Sequence, residues 1–344
     1  MEERIKERLS QAIGARVFPG CVVGIVKKDG NRLTIPVGSF KYDSASRLME
    51  ADSVFDIASI TKSIPTSSIA LKLIEDGKLG LDDKLSEFLP VSDNSEMDNV
   101  NIEHLLTHTL DWGFRLSEMK GKSRDEIISA LFSAKFKSPP GTKYFYSNAT
   151  SILLGLVVEK ICGKSLDVLG DEMFFSPLKM ARTTFHPLEI LNREEIVPTE
   201  IQDWRDGLVQ GEVHDESAYS CRTPVGSAGL FSCVPDLLSF MEMLLNGGNL
   251  KGKRYLSEDT IREIQTDRGA ALGEHIRLGE SEARRVGLGW ELDQPWYMGE
   301  NRGGKRFGKT GFTGCSCVCD TELGTALVIL SNRVYPVRKK TQRI

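Results

Sequence analysis

The apolar positions of this chain change their period twice. In the first segment, "MEERIKERLSQAIG", Ile5, Leu9 and Ile13 recur every fourth residue among charged ones, one stripe of an amphipathic helix. Two runs of a different kind follow. "GCVVGIVKKDG" and "NRLTIPVGSF" are dense in β-branched residues and meet at Asp29-Gly30-Asn31, which predicts a hairpin. Helical spacing returns in "TSSIALKLIEDGKLGL", expected to stop at Gly77. Pro65 lies early in that helix and predicts a kink or an irregular start. Helical patterns then dominate as far as residue 250. "NIEHLLTHTL" reads as a helix capped by Asn101 with Glu103 in its first turn. "ATSILLGLVVEKICG" reads as a buried helix ending at Gly163, and "PDLLSFMEMLLNGG" as an amphipathic one ending at Gly247-Gly248. After residue 286 the pattern is β again, in "VGLGWEL", "RFGKTGFTGCSCVCD" and "GTALVILSNR". Strands at both ends with helices between them predict an α+β fold. Residues 1–80 and 286–344 would share one sheet, residues 81–285 would form a mostly helical domain, and the crevice between them is the natural ligand site.

Composition narrows the function classes. The 344 residues are 40% hydrophobic, enough for a large core in one or two domains. A net charge of -4 and a pI of about 5.9 argue against nucleic acid or an anionic membrane as a partner. The cluster Arg338-Lys339-Lys340 is short and reads as solvated surface. The N-terminus has no apolar core of a secretory signal, and "SILLGLVV" is too short to span a bilayer. The expectation is therefore a cytoplasmic protein with no membrane partner, or a periplasmic or secreted one had a leader been removed. Seven cysteines are an odd number for a disulfide framework, so free thiols packed as small hydrophobes are expected. Cys315, Cys317 and Cys319 would lie on one face of a strand. No second ligand pair at zinc-like spacing accompanies them, and no metal site is expected.

Three short stretches carry candidate chemistry. Ser59 and Lys62, in "FDIASITKSIP", stand three residues apart and would share one helix face. Such a pair is either a surface accident or a nucleophile beside its base. Tyr146-Ser147-Asn148 and Lys309-Thr310-Gly311 are the other two. Their plain alternatives are a core tyrosine, an asparagine that only caps a helix, and a solvated edge-strand lysine. A serine hydroxyl needs a base to become a nucleophile. A lysine with an ordinary pKa is protonated at neutral pH, but burial and a nearby cation such as Lys309 would lower it. His104 and His108 lack the glutamate of a zinc-protease helix and read as structural. No G-x-S-x-G motif occurs, which excludes the α/β-hydrolase elbow.

Taken together, S-x-x-K, Y-S-N and K-T-G resemble the motifs of the class C β-lactamases, the DD-peptidases of that type and the family VIII carboxylesterases. The likeness extends to "HLLTHT", "PPGTKYFYSNATSILLGLVVEKICGKS" and "VGSAGLFSCVPDLLSFMEMLLNGG", nearly the whole chain. It implies a β-lactamase/transpeptidase-like fold, an antiparallel sheet flanked by helices plus a mostly helical domain. It also implies Ser59 as nucleophile, with Lys62 and Tyr146 as a coupled general base and acid. The amides of Ser59, at the positive end of its helix, and of Phe312 would form the oxyanion hole. Asn148 would bind an acyl-side amide or hold Lys62, and Gly311 would let substrate approach the strand. Lys309 and Thr310 would suit a carboxylate. His214-Asp215, in "GEVHDESAYS", resembles a loop at the substrate rim. No metal or organic cofactor is implied.

Relatives of this kind usually continue past the last strand into a long helix, where this chain ends at "VYPVRKKTQRI". Residues 1–14 would then cover part of the sheet, and a loop or a second copy in a homodimer the rest. The reading that follows is an acyl-enzyme hydrolase of short acyl esters with weak β-lactam hydrolysis. Its rivals are a true β-lactamase or D-amino-acid peptidase, favoured by Lys309, and a penicillin-binding sensor that acylates without turnover.

Overall fold

The computed structural model describes residues 1–91, 96–205, 207–269, 285–300 and 305–338. Its centre is a seven-stranded antiparallel sheet. In chain order the strands are β1 (Gly20–Lys27), β2 (Arg32–Gly38), β3 (Arg285–Val286), β4 (Glu291–Leu292), β5 (Arg306–Gly311), β6 (Cys315–Asp320) and β7 (Thr325–Ser331). Across the sheet they run β2-β1-β7-β6-β5-β4-β3. The hairpin pairs with the last strand, Cys21 opposite Ser331, so the two ends of the chain close one sheet. The three cysteines of β6 lie on one buried face as free thiols. Burial pushes Cys315 and Cys317 up to about 12, so they pack as apolar groups.

The amphipathic N-terminal helix α1 (Glu2–Gly14) packs along β2, where Ile13 fills the space that a side chain on Gly38 would take. The segment 102–107 forms a short helix capped as expected, with the Asn101 side chain accepting from the His104 amide at 3.0 Å. Helix α2 (Ser68–Glu75) follows the Ser59 segment, and α3 (Asn148–Cys162) is the long buried helix, ending at Gly163 in the left-handed region. Helix α4 (Glu216–Cys221) is capped by Asp215. Helix α5 (Val234–Leu245) falls inside the 81–285 span, yet it lies against β1 and β7. Gly24 permits this approach, since a Cβ there would stand 2.3 Å from Val234 Cγ1 and 3.0 Å from Leu238 Cδ1. Helix α5 thus covers one face of the sheet, the one that carries Gly24 and Val328, whereas Ile25, Leu327 and Ile329 on the opposite face stay partly exposed. Among the described residues no helix is long and apolar enough to cross a membrane. Of the basic cluster, Lys339 and Lys340 lie outside the described residues; Arg338 is ion-paired with Glu200 and Glu216.

Candidate active site

Ser59 does not begin a regular α-helix. Residues Ala58–Lys62 form a 3₁₀ turn, Ser63–Ser67 a wide π turn, and α2 starts only at Ser68. The break is at Ile64, which is extended (φ -120°, ψ 106°) because the ring of Pro65 disfavours the helical region for the residue before it. The irregular start expected from Pro65 is there. The helix dipole expected behind the Ser59 amide is not, because only one short turn follows it before the break. The 3₁₀ turn brings the pair together in another way. At three residues per turn, positions i and i+3 eclipse, and Lys62 Nζ lies 2.9 Å from Ser59 Oγ. Ala58 is held at φ +48°, a strained conformation for a residue with a Cβ. From Ser53 to Leu71 every residue is buried except Ser59, whose side is partly open.

Lys62 is 1% exposed. Its amine has two further partners, Asn148 Oδ1 at 2.8 Å and the carbonyl of Ser227 at 2.8 Å. Both can only accept, so they take two N–H groups in any protonation state. An ammonium would give its third hydrogen to Ser59. A neutral amine has a lone pair in that place instead, ready to receive the serine proton. Lys62 is pushed down to about 7, chiefly by burial; the charge of Asp215 opposes the shift, that of Lys309 adds to it and Glu291 opposes it.

Asn148 is not the cap of α3. Ser147 is, its hydroxyl accepting from the Ala149 amide at 3.2 Å, and Asn148 is the first helical residue. Its side-chain nitrogen donates to Asp215 Oδ2 at 2.8 Å, which orients its oxygen toward Lys62. Asp215 also accepts from Ser217 Oγ and the Ala218 amide. Burial alone would push Asp215 up, but these hydrogen bonds and the charge of Lys62 hold it below the usual carboxylate range. The neighbouring residue, His214, is buried, bonded to Glu200 at 2.8 Å, and stacked on Phe312 with ring centroids 5.8 Å apart. Arg338 also grips Glu200, and its guanidinium stands 5.6 Å from the Phe312 ring.

Tyr146 lies between two lysines, its ring centroid 5.1 Å from Lys62 Nζ and 4.7 Å from Lys309 Nζ. The His108 ring backs it at 5.0 Å. His104 closes the reciprocal cap of its helix, and burial pushes it down to about 4, where it is neutral. Lys309, on β5, is buried beside Glu291 of β4, 3.5 Å away. What stands against Gly311 is the Ser59 segment itself: a Cβ there would meet the Ile57 carbonyl at 2.3 Å. Glycine at this point lets β5 and the Ser59 turn come together. Phe312 follows at a half-exposed position.

The structure therefore brings Ser59, Lys62, Tyr146, Asn148 and Lys309 into one chain of contacts, with Gly311 against the residues just before Ser59, Phe312 against His214, and Thr310 next to Lys309 on the same strand. Sequence reasoning missed Asp56, Ser227 and Glu291. Asp56 and Glu291 each carried a signal, an acid inside an apolar run ("VFDIAS", "GLGWEL"), which is rarely buried without a partner. The Ser227 carbonyl had none. Among the described residues no cluster of ligands could hold a metal ion.

The profile of the beta-lactamases matches residues 5–344. The chain belongs to the beta-lactamase family. It is a serine hydrolase of that family, and it is similar to curated relatives over most of its length. The N-acetylmuramyl-L-alanine amidase of Bacillus subtilis (strain 168) is 29% identical over 92% of this chain and 78% of its own length. A putative D-alanyl-D-alanine carboxypeptidase of Escherichia coli (strain K12) is 29% identical over 86% of this chain and 74% of its own. Solved structures share the beta-lactamase fold. The octameric penicillin-binding protein homologue from Pyrococcus abyssi superposes with a TM-score of 0.76 at 22% identity, covering 96% of this chain and 73% of that one. EstCE1, a hydrolase with promiscuous acyltransferase activity, superposes with a TM-score of 0.77 at 19% identity, covering 96% and 93%.

Proposed function

We propose that the protein hydrolyses short acyl esters through an acyl-enzyme on Ser59. The observation that carries this reading is the set of three partners on Lys62 Nζ: two obligate acceptors take its hydrogens, so the lone pair of the neutral amine faces Ser59 Oγ. In acylation the hydroxyl proton passes to Lys62 as Oγ adds to the ester carbonyl. The amides of Ser59 and Phe312 receive the oxyanion. As the adduct collapses and the ester C–O bond breaks, Tyr146, next to both lysines, gives its hydroxyl proton to the leaving alcohol and is reprotonated by the Lys62 ammonium. Water then adds to the acyl-enzyme, loses its proton to the same pair, and the acid leaves as Ser59 Oγ is reprotonated.

One feature favours neutral esters. The charge of Lys309 is met by Glu291 and directed at Tyr146, which weakens the case for it as a carboxylate receptor. A cavity of about 400 Å³, whose walls include Phe185, Leu188, Val213 and Phe231 together with Glu189, Glu212 and Arg222, reaches Ala228 and Gly229, in the segment that follows Ser227. A second reading, cleavage of a peptide-like amide, is supported by the names of the amidase and carboxypeptidase relatives.

A burst assay decides. p-Nitrophenyl butyrate, a chromogenic cephalosporin and a D-alanyl-D-alanine peptide are given to the wild type and to Ser59→Ala. Steady ester turnover that exceeds the other two and vanishes in the variant is expected. Faster amide or β-lactam turnover would replace the ester reading, and a single burst without turnover would make the protein a sensor. Activity that survives Ser59→Ala would remove Ser59 from its role.

A further inference from the structure

The two amides proposed for the oxyanion hole come from segments more than two hundred residues apart, Ser59 and Phe312. Something must hold them at a constant spacing. One residue bonds to both segments. Asp56, 1% exposed, accepts the Ala58 amide on Oδ1 at 2.8 Å, one residue before Ser59. Its own carbonyl accepts the Thr313 hydroxyl at 2.8 Å, one residue after Phe312. Its second carboxylate oxygen accepts the His214 amide at 2.6 Å, and the His214 ring lies under the Phe312 ring. The Ala58 bond also holds the strained residue that turns Ser59 outward.

We propose that Asp56 is a positioning residue that sets the spacing of the oxyanion hole by tying the Ser59 turn, the Phe312 turn and the His214 loop to one buried side chain and its carbonyl. The inference rests on the proposed role of the Ser59 and Phe312 amides. Asp56 touches neither substrate nor Ser59 Oγ, so its loss would act on the transition state and leave ground-state binding alone. An asparagine fits the same space but presents an NH₂ where one of the two backbone amides now donates. Two donors would face each other and the segments would part.

The test compares wild type, Asp56→Asn and Thr313→Val. Thr313→Val removes the hydroxyl bond to the Asp56 carbonyl, along with the longer contact of the same hydroxyl to Cys315 Sγ at 3.4 Å, and keeps the side-chain volume. Each is assayed with p-nitrophenyl butyrate and with phenylboronic acid, whose tetrahedral adduct on Ser59 places an oxygen in the hole. For Asp56→Asn, kcat should fall about 10- to 100-fold with KM held within about two-fold, and the boronate should weaken by a similar factor. Thr313→Val should move both in the same direction by about three- to ten-fold. If Asp56→Asn does not fold, Thr313→Val carries the test. Unchanged boronate affinity in the folded variants, or a rise in KM with kcat held, would overturn the inference. Ser59→Ala separates the two claims. If it abolishes turnover while Asp56→Asn and Thr313→Val leave kcat intact, the hydrolase reading stands and the strut falls.

Discussion

Replacing Asp215 by asparagine separates charge from geometry at the candidate base. Asp215 reaches Lys62 through the side-chain amide of Asn148, with 2.8 Å on either side of it. Allowing for the width of the amide, the carboxylate and the amine are about 7 Å apart; at an effective dielectric constant of about 20 their attraction is about 2 kcal/mol, or about 1.5 pH units on the lysine. The direction is set. The charge of Asp215 favours the ammonium, so without it Lys62 would titrate below its present value of about 7. In the proposed mechanism the active form is the neutral amine, so kcat/KM should rise as pH rises through that value. In Asp215→Asn the acidic limb should therefore move to lower pH by one to two units, roughly the figure from the same Coulomb arithmetic. The plateau should fall as well. A single carboxamide oxygen cannot serve Asn148, Ser217 and the Ala218 amide together, so the aim of Asn148 is loosened. The assay is kcat/KM for p-nitrophenyl butyrate from about pH 5 to pH 9, in which limb position reports charge and plateau height reports geometry. A limb that stays in place or moves up would refute the claim that Lys62 is the titrating base under the influence of Asp215.

Two further substitutions probe the rest of the cleft. Glu291→Gln should release Lys309 from its counter-charge, raising kcat/KM for an ester with a carboxylate on its leaving group by several-fold over the matching neutral ester, measured as a competition ratio. An unchanged ratio would show that Glu291 does not govern Lys309. Gly311→Ala would drive a methyl to 2.3 Å from the Ile57 carbonyl and 3.3 Å from Ala58 Cβ; a destabilisation of about 1–3 kcal/mol in chemical denaturation is expected, with loss of ester turnover.

Much of the secondary structure was legible because it is written locally. The four-residue stripe of α1, the turn at Asp29-Gly30-Asn31, the Asn101 cap and the Gly163 stop each depend on residues within one or two turns of one another. The Ser59–Lys62 pair belongs to the same class, since a spacing of three brings side chains together in an α-helix and still more directly in the 3₁₀ turn that forms. The cap of α3 was harder. Ser147 and Asn148 are both good capping residues, and only the pull of Asp215 and Lys62 on the Asn148 amide decides which of them caps and which faces the cleft.

By itself, then, the sequence determined the elements, their order, the α+β class and the three motifs, because periodicity, turn chemistry and short spacings act over a few residues. Only the tertiary structure decided what those motifs meet. The carbonyl of Ser227 reaches Lys62 across 165 residues, Glu291 lies beside Lys309 because β4 pairs with β5, and α5 crosses from the helical stretch to cover one face of the sheet. Buried polar groups must find partners wherever the fold places them, and those partners have no fixed spacing along the chain.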